Sequence, residues 1–162
     1  RALDAALEQG GKFRGELASA EALIGGSEAI TGLKELAQKG VMTEAELLSS
    51  FDPVANRILA LGTDTESDSG ILGQFMASAK SLVKVRSATP IDGDSAAAII
   101  SRIEANLKSG DISTALSEWN GLPEEAKAVS SDWADNLRER QTAVDLIKTV
   151  IGELSANQGD QG

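Results

Sequence analysis

Apolar residues recur every three or four positions along most of the chain, and glycine punctuates the recurrences. Phe13, Leu17, Ala20 and Ile24 line one side of a helix predicted over 12–24. Gly10-Gly11 separates it from a first helix over 1–9, and Gly25-Gly26 closes it. Ser27 is placed to cap a third helix over 28–39, with Ile30, Leu33, Leu36 and Ala37 on one side and Gly40 at its end. Thr43-Glu44-Ala45-Glu46 fits a capping box that opens a fourth helix running to about Leu61. Pro53 has no N–H to donate and crowds the preceding turn, so it is expected to interrupt that helix. Asp52-Pro53 reads alternatively as the cap and first position of a separate helix.

Residues 62–70 (GTDTESDSG) are polar, acidic and without an apolar anchor, which predicts a linker. A helix is predicted over 71–85, where Leu72, Phe75, Met76, Ala79, Leu82 and Val83 make a broad apolar face. After a loop at 87–93, Asp94 or Ser95 caps a helix to about Ser109 that turns Ile99, Ile100, Ile103 and Leu107 inward. Gly110 suits the left-handed position at its end and Asp111 caps the next helix, so the two helices form an antiparallel hairpin. Ile112, Ala115, Leu116 and Trp119 face the partner helix. Gly121 ends that helix, and Pro123 opens a long last one reaching about Leu154, with a disordered tail expected over 155–162. Helix–Gly-Asp–helix–Gly-x-Pro–helix is the layout of a single tetratricopeptide-like unit, and no second copy of it appears at a fixed period.

The long helix carries two apolar stripes. Leu137, Arg140, Val144, Ile147, Ile151 and Leu154 are spaced 3, 4, 3, 4 and 3, a heptad seam, with Ala143, Leu146 and Val150 beside it. Its first half has the hairpin to pack on, through Ala126, Val129, Trp133 and Leu137. Beyond Leu146 it outruns the short helices before it. Val144, Ile147, Val150, Ile151 and Leu154 are therefore the expected self-association surface, against a second copy in a homodimer. Trp119 and Trp133 sit among Leu and Ala on helical faces, and with Leu116 and Leu137 they read as core anchors rather than pocket aromatics.

Composition sharpens the helical reading. Hydrophobic residues make up 41% of the chain but aromatics only 3%; strands favour β-branched and aromatic residues, whereas the Ala-, Leu- and Glu-rich wording here suits helices. There is no His and no Cys, which removes the usual neutral-pH proton shuttle, the thiol nucleophile and the preferred ligands of zinc, copper and haem. The formal net charge of −10 opposes nucleic-acid binding. No run reaches the roughly 18 uncharged apolar residues of a membrane span. A chain that opens on Arg rather than Met reads as a piece of something longer.

Charge is uneven: 70–91 holds no acid, only Lys80, Lys84 and Arg86. These three follow an apolar face, where they would complement a helix dipole or touch anionic headgroups. Residues 28–39 are amphipathic with Lys34 and Lys39 flanking the apolar side, a pattern of packing helices and of interfacial ones. Packing is the first reading of both segments. The candidates for lipid contact are Lys34, Lys39, Lys80, Lys84 and Arg86. Nothing supports catalysis or a cofactor. Gly10-Gly11-Lys12 and Gly25-Gly26-Ser27 lack the spacing of a P-loop. Asp64, Glu66 and Asp68 alternate as in a calcium loop, but the glycine and distal Glu of an EF-hand are not at the required offsets.

From about Leu48 onward the order of features resembles the C-terminal region of mitofilin, in the form found in alphaproteobacteria. The resemblance rests on Phe51-Asp52-Pro53-Val54 with Ala55 and Ile58, and on Gly73-Gln74-Phe75 through Ser81-Leu82-Val83-Lys84-Val85-Arg86. It continues in Ala97 and Ile99 with Ile103 and Leu107, in Gly110-Asp111 with Ala115-Leu116, and in Leu122-Pro123 with Trp133 and Arg138. These spread-out patterns cover roughly 100 residues. The resemblance implies a structural, non-enzymatic scaffold that shapes membranes, as at crista junctions, through self-association, lipid contact and a small protein partner. It implies an inner or intracytoplasmic membrane, on the periplasmic side, with this piece as a soluble part of an anchored protein. It also makes residues 1–61 a helical arm and the candidate lipid-facing segment. The acidity of the chain departs from that picture. The expected architecture is all-α, with a helical-hairpin domain over 71–154 preceded by the arm. A tetratricopeptide-like adaptor for a peptide or protein, with no membrane role, is the rival reading.

Overall fold

The computed structural model describes residues 2–61 and 93–159, with the side chains of 158 and 159 left aside. Over these residues the protein is all-α. The helices are α1 (Ala2–Gln9), α2 (Arg14–Ile24), α3 (Glu28–Lys39), α4 (Glu44–Leu61), α5 (Ala96–Lys108), α6 (Ile112–Asn120) and α7 (Glu124–Gly159). The helix predicted over 71–85 and the linker at 62–70 lie outside the described residues.

Several helix starts follow directly from local side-chain chemistry. Ser27 Oγ accepts from the Ile30 N–H at 3.2 Å, and Ser95 Oγ accepts from the Ala98 N–H at 3.2 Å. The capping box at α4 is complete. Thr43 Oγ1 accepts from the Glu46 N–H at 3.1 Å while Glu46 Oε2 accepts from the Thr43 N–H at 2.8 Å. Asp111 Oδ1 accepts from the Thr114 N–H at 2.9 Å, and Gly110 takes the expected left-handed conformation before it, with φ of 76°. Pro53 does not end α4, which runs unbroken past it to Leu61. Phe51, Val54, Ala55 and Ile58 bury a face on both sides of the proline, and packing outweighs the missing backbone bond. The last helix also continues five residues past Leu154, so the tail expected from 155 is helical to Gly159.

Two hydrophobic cores share α7. The first joins α4, α5 and α6 to its N-terminal half, through Leu47, Phe51, Ile58, Ile103, Trp119, Trp133 and Leu137 among others. Trp133 is 5% exposed, donates its indole N–H to the Leu47 carbonyl at 3.1 Å, and lies 4.6 Å from the Phe51 ring. Trp119 donates to Ser130 Oγ at 2.9 Å and carries the Arg138 guanidinium 4.7 Å above its ring. The second core joins α1, α2 and α3 to the C-terminal half, through Leu3, Leu7, Phe13, Leu17, Ile30, Leu33, Ile147 and Val150. The arm expected over 1–61 is thus divided. Its α4 belongs with the hairpin core, and α1–α3 fold back along α7.

The first third holds a recurrence at 30 residues that the apolar pattern conceals. Leu3 and Leu33, Leu7 and Ala37, Gly10 and Gly40, and Leu17 and Leu47 occupy equivalent places in two helix–loop–helix segments. Their loops cross, with an antiparallel bridge between Gly11 and Val41 and the Phe13 N–H donated to the Ala37 carbonyl at 3.1 Å. The crossing requires glycine at both equivalent positions. A Cβ on Gly10 (φ 75°) would stand 2.7 Å from Thr43 Cγ2, and one on Gly40 (φ 91°) 2.8 Å from the Gly11 backbone.

Truncating the first core at its centre, Trp133→Ala, is expected to cost about 3–5 kcal/mol in a urea titration; an unchanged midpoint contradicts the anchor role. The caps predict an acid limb of stability. Backbone and hydroxyl donors of Thr43 hold Glu46 below its ordinary value of 4.5, and those of Thr114 hold Asp111 below 3.8. A carboxylate whose folded pKa is depressed binds fewer protons folded than unfolded. Its contribution is complete above the ordinary value and disappears as pH falls through the folded one. Asp111→Asn should therefore flatten the loss of melting temperature below about pH 4, and an unaltered pH profile would count against the cap.

Candidate interaction site

The helix pattern predicts a free apolar seam on α7, and the structure gives that seam an internal partner. Ile147 is 1% exposed and Val150 0%, both inside the second core. Val144, Ile151 and Leu154 are half-buried against the same cluster. This corrects the expectation that the end of α7 lacks anything to pack on. The physical reason is the fold-back. α3 lies antiparallel to this part of α7, with Lys39 against Glu139 at one end and Gly32 against Leu146 at the other. Asn157 donates to the Leu23 carbonyl at 3.0 Å, which ties the end of α7 to the end of α2. Of the expected anchors, Trp119, Trp133 and Leu137 are buried, and Leu116 is half-buried at the rim of the first core.

Arg140 stands where the seam crosses from one core to the other. It is 3% exposed, on the same face as Leu137 and Ile147. Its Nη1 donates to the carbonyl of Leu7 and, at 3.4 Å, to that of Met42. Its Nη2 lies 3.6 Å from a Glu44 carboxylate that is 47% exposed, while Nε has no acceptor. The Leu7 carbonyl is in the last turn of α1, where the negative end of the helix dipole favours a cation. One side chain of α7 thereby touches the end of α1, the α3–α4 loop and the start of α4. The sequence offered a signal, a lone Arg at a heptad core position, but it did not reveal which carbonyls would receive the charge.

The lipid candidates divide. Lys34 pairs with Glu21 at 2.9 Å, and Lys39 pairs with both carboxylate oxygens of Glu139 at 2.6 and 2.8 Å. That hydrogen bond to Glu139 raises Lys39 above its ordinary value of 10.5. Each charge presented to solvent is therefore offset by an acid beside it, and the apolar side of α3 (Ile30, Leu33, Ala37) is turned into the second core. Lys80, Lys84 and Arg86 lie outside the described residues. Among the described residues no three His, Cys, Asp or Glu gather as a metal site, and no helix is long and apolar enough to cross a membrane.

Two helical cores strung on one long helix define an all-helical module over the described residues. The sequence profile of mitofilin, described as a mitochondrial inner membrane protein, matches residues 16–154. The chain belongs to the mitofilin family. It is 31% identical over 115 residues to the MICOS complex subunit MIC60 of Sordaria macrospora, covering 69% of this chain and 17% of that protein. The MIC60 subunit of Neurospora crassa is 32% identical over 114 residues (68% and 17%), and that of Phaeosphaeria nodorum 32% over 127 residues (76% and 20%). The chain thus spans about a fifth or less of the length of these relatives. No solved structure matches it.

An intramolecular seam has a measurable consequence. Ile147→Asp places an unpaired carboxylate in the second core, at a cost of several kcal/mol. The expected product is a chain that loses helicity from α1–α3 while Trp119 and Trp133 keep their buried fluorescence. A variant of unchanged far-UV circular dichroism would show that Ile147 is not enclosed.

Proposed function

We propose that this chain is the membrane-organising helical segment of a larger, membrane-anchored protein, a structural scaffold without catalytic activity that works by self-association and by contact with lipid. The observation that carries the reading is the family match over residues 16–154, which takes in the whole first core and the part of the second core from Leu17 onward. The relatives are named as subunits of the MICOS complex, which supports a place for this chain in a multi-subunit assembly with a small protein partner. The proposed location is the periplasmic face of an inner or intracytoplasmic bacterial membrane. Lipid contact falls to Lys80, Lys84 and Arg86, which lie in the stretch of sequence with no acid to offset them. Lys34 and Lys39 are secondary candidates because each already holds a carboxylate. A net charge of −10 works against any general attraction to anionic lipid, so the contact must be local.

Flotation with vesicles containing anionic lipid tests this division. Reversing Lys80, Lys84 and Arg86 to Glu should weaken binding by on the order of a hundredfold at low salt, at about 1 kcal/mol per basic residue. Reversing Lys34 and Lys39 should change it far less. Equal binding by the triple variant and the parent protein would remove the patch from the mechanism. Absence of binding to any vesicle would remove lipid contact by this segment.

A further inference from the structure

We propose that α1–α3 form a releasable cover over the second half of α7, latched at Arg140, and that release delivers the Val144–Leu154 stripe to the same stripe of a second copy of this chain. The proposal rests on the self-association read above and supplies its control.

Three observations make the cover separable. First, α1, α2 and α3 have 8, 11 and 12 residues. Isolated helices shorter than about 12–15 residues are marginal in water, so these hold their form only against α7. The long helix continues from the first core, where both tryptophans anchor it, and does not need the cover to begin. Second, the join between the cores is polar and incompletely satisfied. Arg140 is buried with its Nε unpartnered and its carboxylate partner 3.6 Å away and half in water. The desolvation of that cation opposes closure, while its bonds to the Leu7 and Met42 carbonyls favour it. Third, the rim between α3 and α7 is held by an exposed ion pair, Lys39 with Glu139, a kind of contact that contributes little in water.

The occupant of the uncovered face follows from its spacing. Val144, Ile147, Ile151 and Leu154 keep the alternation of three and four that lets two helices mesh along their length, with Ala143 and Val150 widening the face. A face so patterned is complementary to its own copy, and leaving it in water would be unfavourable. The cover and the second copy therefore compete for one surface, and association should rise with concentration only as fast as the cover opens.

The chain has no cysteine, so a single engineered pair can close the cover. Gly32→Cys with Leu146→Cys uses the point where a Cβ on Gly32 would come within 2.9 Å of Leu146 Cδ1. Solution mass would be measured by sedimentation across a concentration series, with disulfide formation checked by thiol titration. The reduced protein is expected to shift toward a dimer, with amides of α2 and α3 exchanging hydrogen faster than those of α5 and α6. The oxidised protein should remain monomeric throughout. Lys39→Glu, an exposed change that sets two carboxylates together at the rim, should raise association severalfold. Dimerisation that is equal in the oxidised and reduced forms overturns the cover and leaves self-association through another surface. Monomers in both forms overturn the cover and the self-association together. A Lys39→Glu protein that associates no more than its parent also overturns the cover.

Discussion

The structure depends on the continuity of one helix. α7 spans 36 residues, on the order of 54 Å, and no other described helix is more than half as long. Burying it therefore takes two sets of partners, one for each half, and the boundary between them has to fall somewhere along its face. It falls at Arg140. A hydrophobic residue there would have fused the two clusters into one apolar column. A cation needs acceptors, and the chain brings them to it as the carbonyls of Leu7 and Met42 and the carboxylate of Glu44. The placement of the end of α1 and the start of α4 is thus bound to a single guanidinium.

Much of this was legible in the wording of the chain. Residues whose effect is local behaved as their chemistry requires. Ser27 and Ser95, the Thr43–Glu46 box, Gly110 and Asp111 all set helix ends where they stand, because a cap is decided within three or four residues. What could not be read was the pairing of distant faces. The stripe at Val144–Leu154 shows equally well in a helix that meets a second chain and in one that meets its own N-terminus, since periodicity records that a face is buried and not by what. Pro53 shows the same limit from the other side. Its local preference is to break a helix, and the burial of Phe51, Val54 and Ile58 around it overrules that preference.

The lysines illustrate why candidate contacts are harder to read than caps. Lys34 and Lys39 flank an apolar side as an interfacial helix would have them. Their partners, Glu21 and Glu139, are 13 and 100 positions away in sequence. Only the fold brings those acids within reach, and with them a favourable but solvent-screened pairing that changes what the lysines can offer. The 30-residue recurrence escaped the apolar pattern for a related reason. Its equivalent positions mix Leu with Ala and Phe with Thr, and the signal that survives is a pair of glycines.

Those glycines govern how the chain can change over evolutionary time. Because the two loops cross at Gly10 and Gly40 with no room for a side chain, the crossing is a fixed point between segments on either side of it. Insertions in the Gly25-Gly26 connection can accumulate without moving that point, since a Cβ at either glycine meets nothing. A residue gained between Leu7 and Phe13, or between Ala37 and Leu47, would instead rotate a helix by about 100° relative to its core. Length variation among sequences of this lineage should therefore pool at the far end of the α2–α3 turn, leaving the two crossing segments constant in length even where their side chains have diverged.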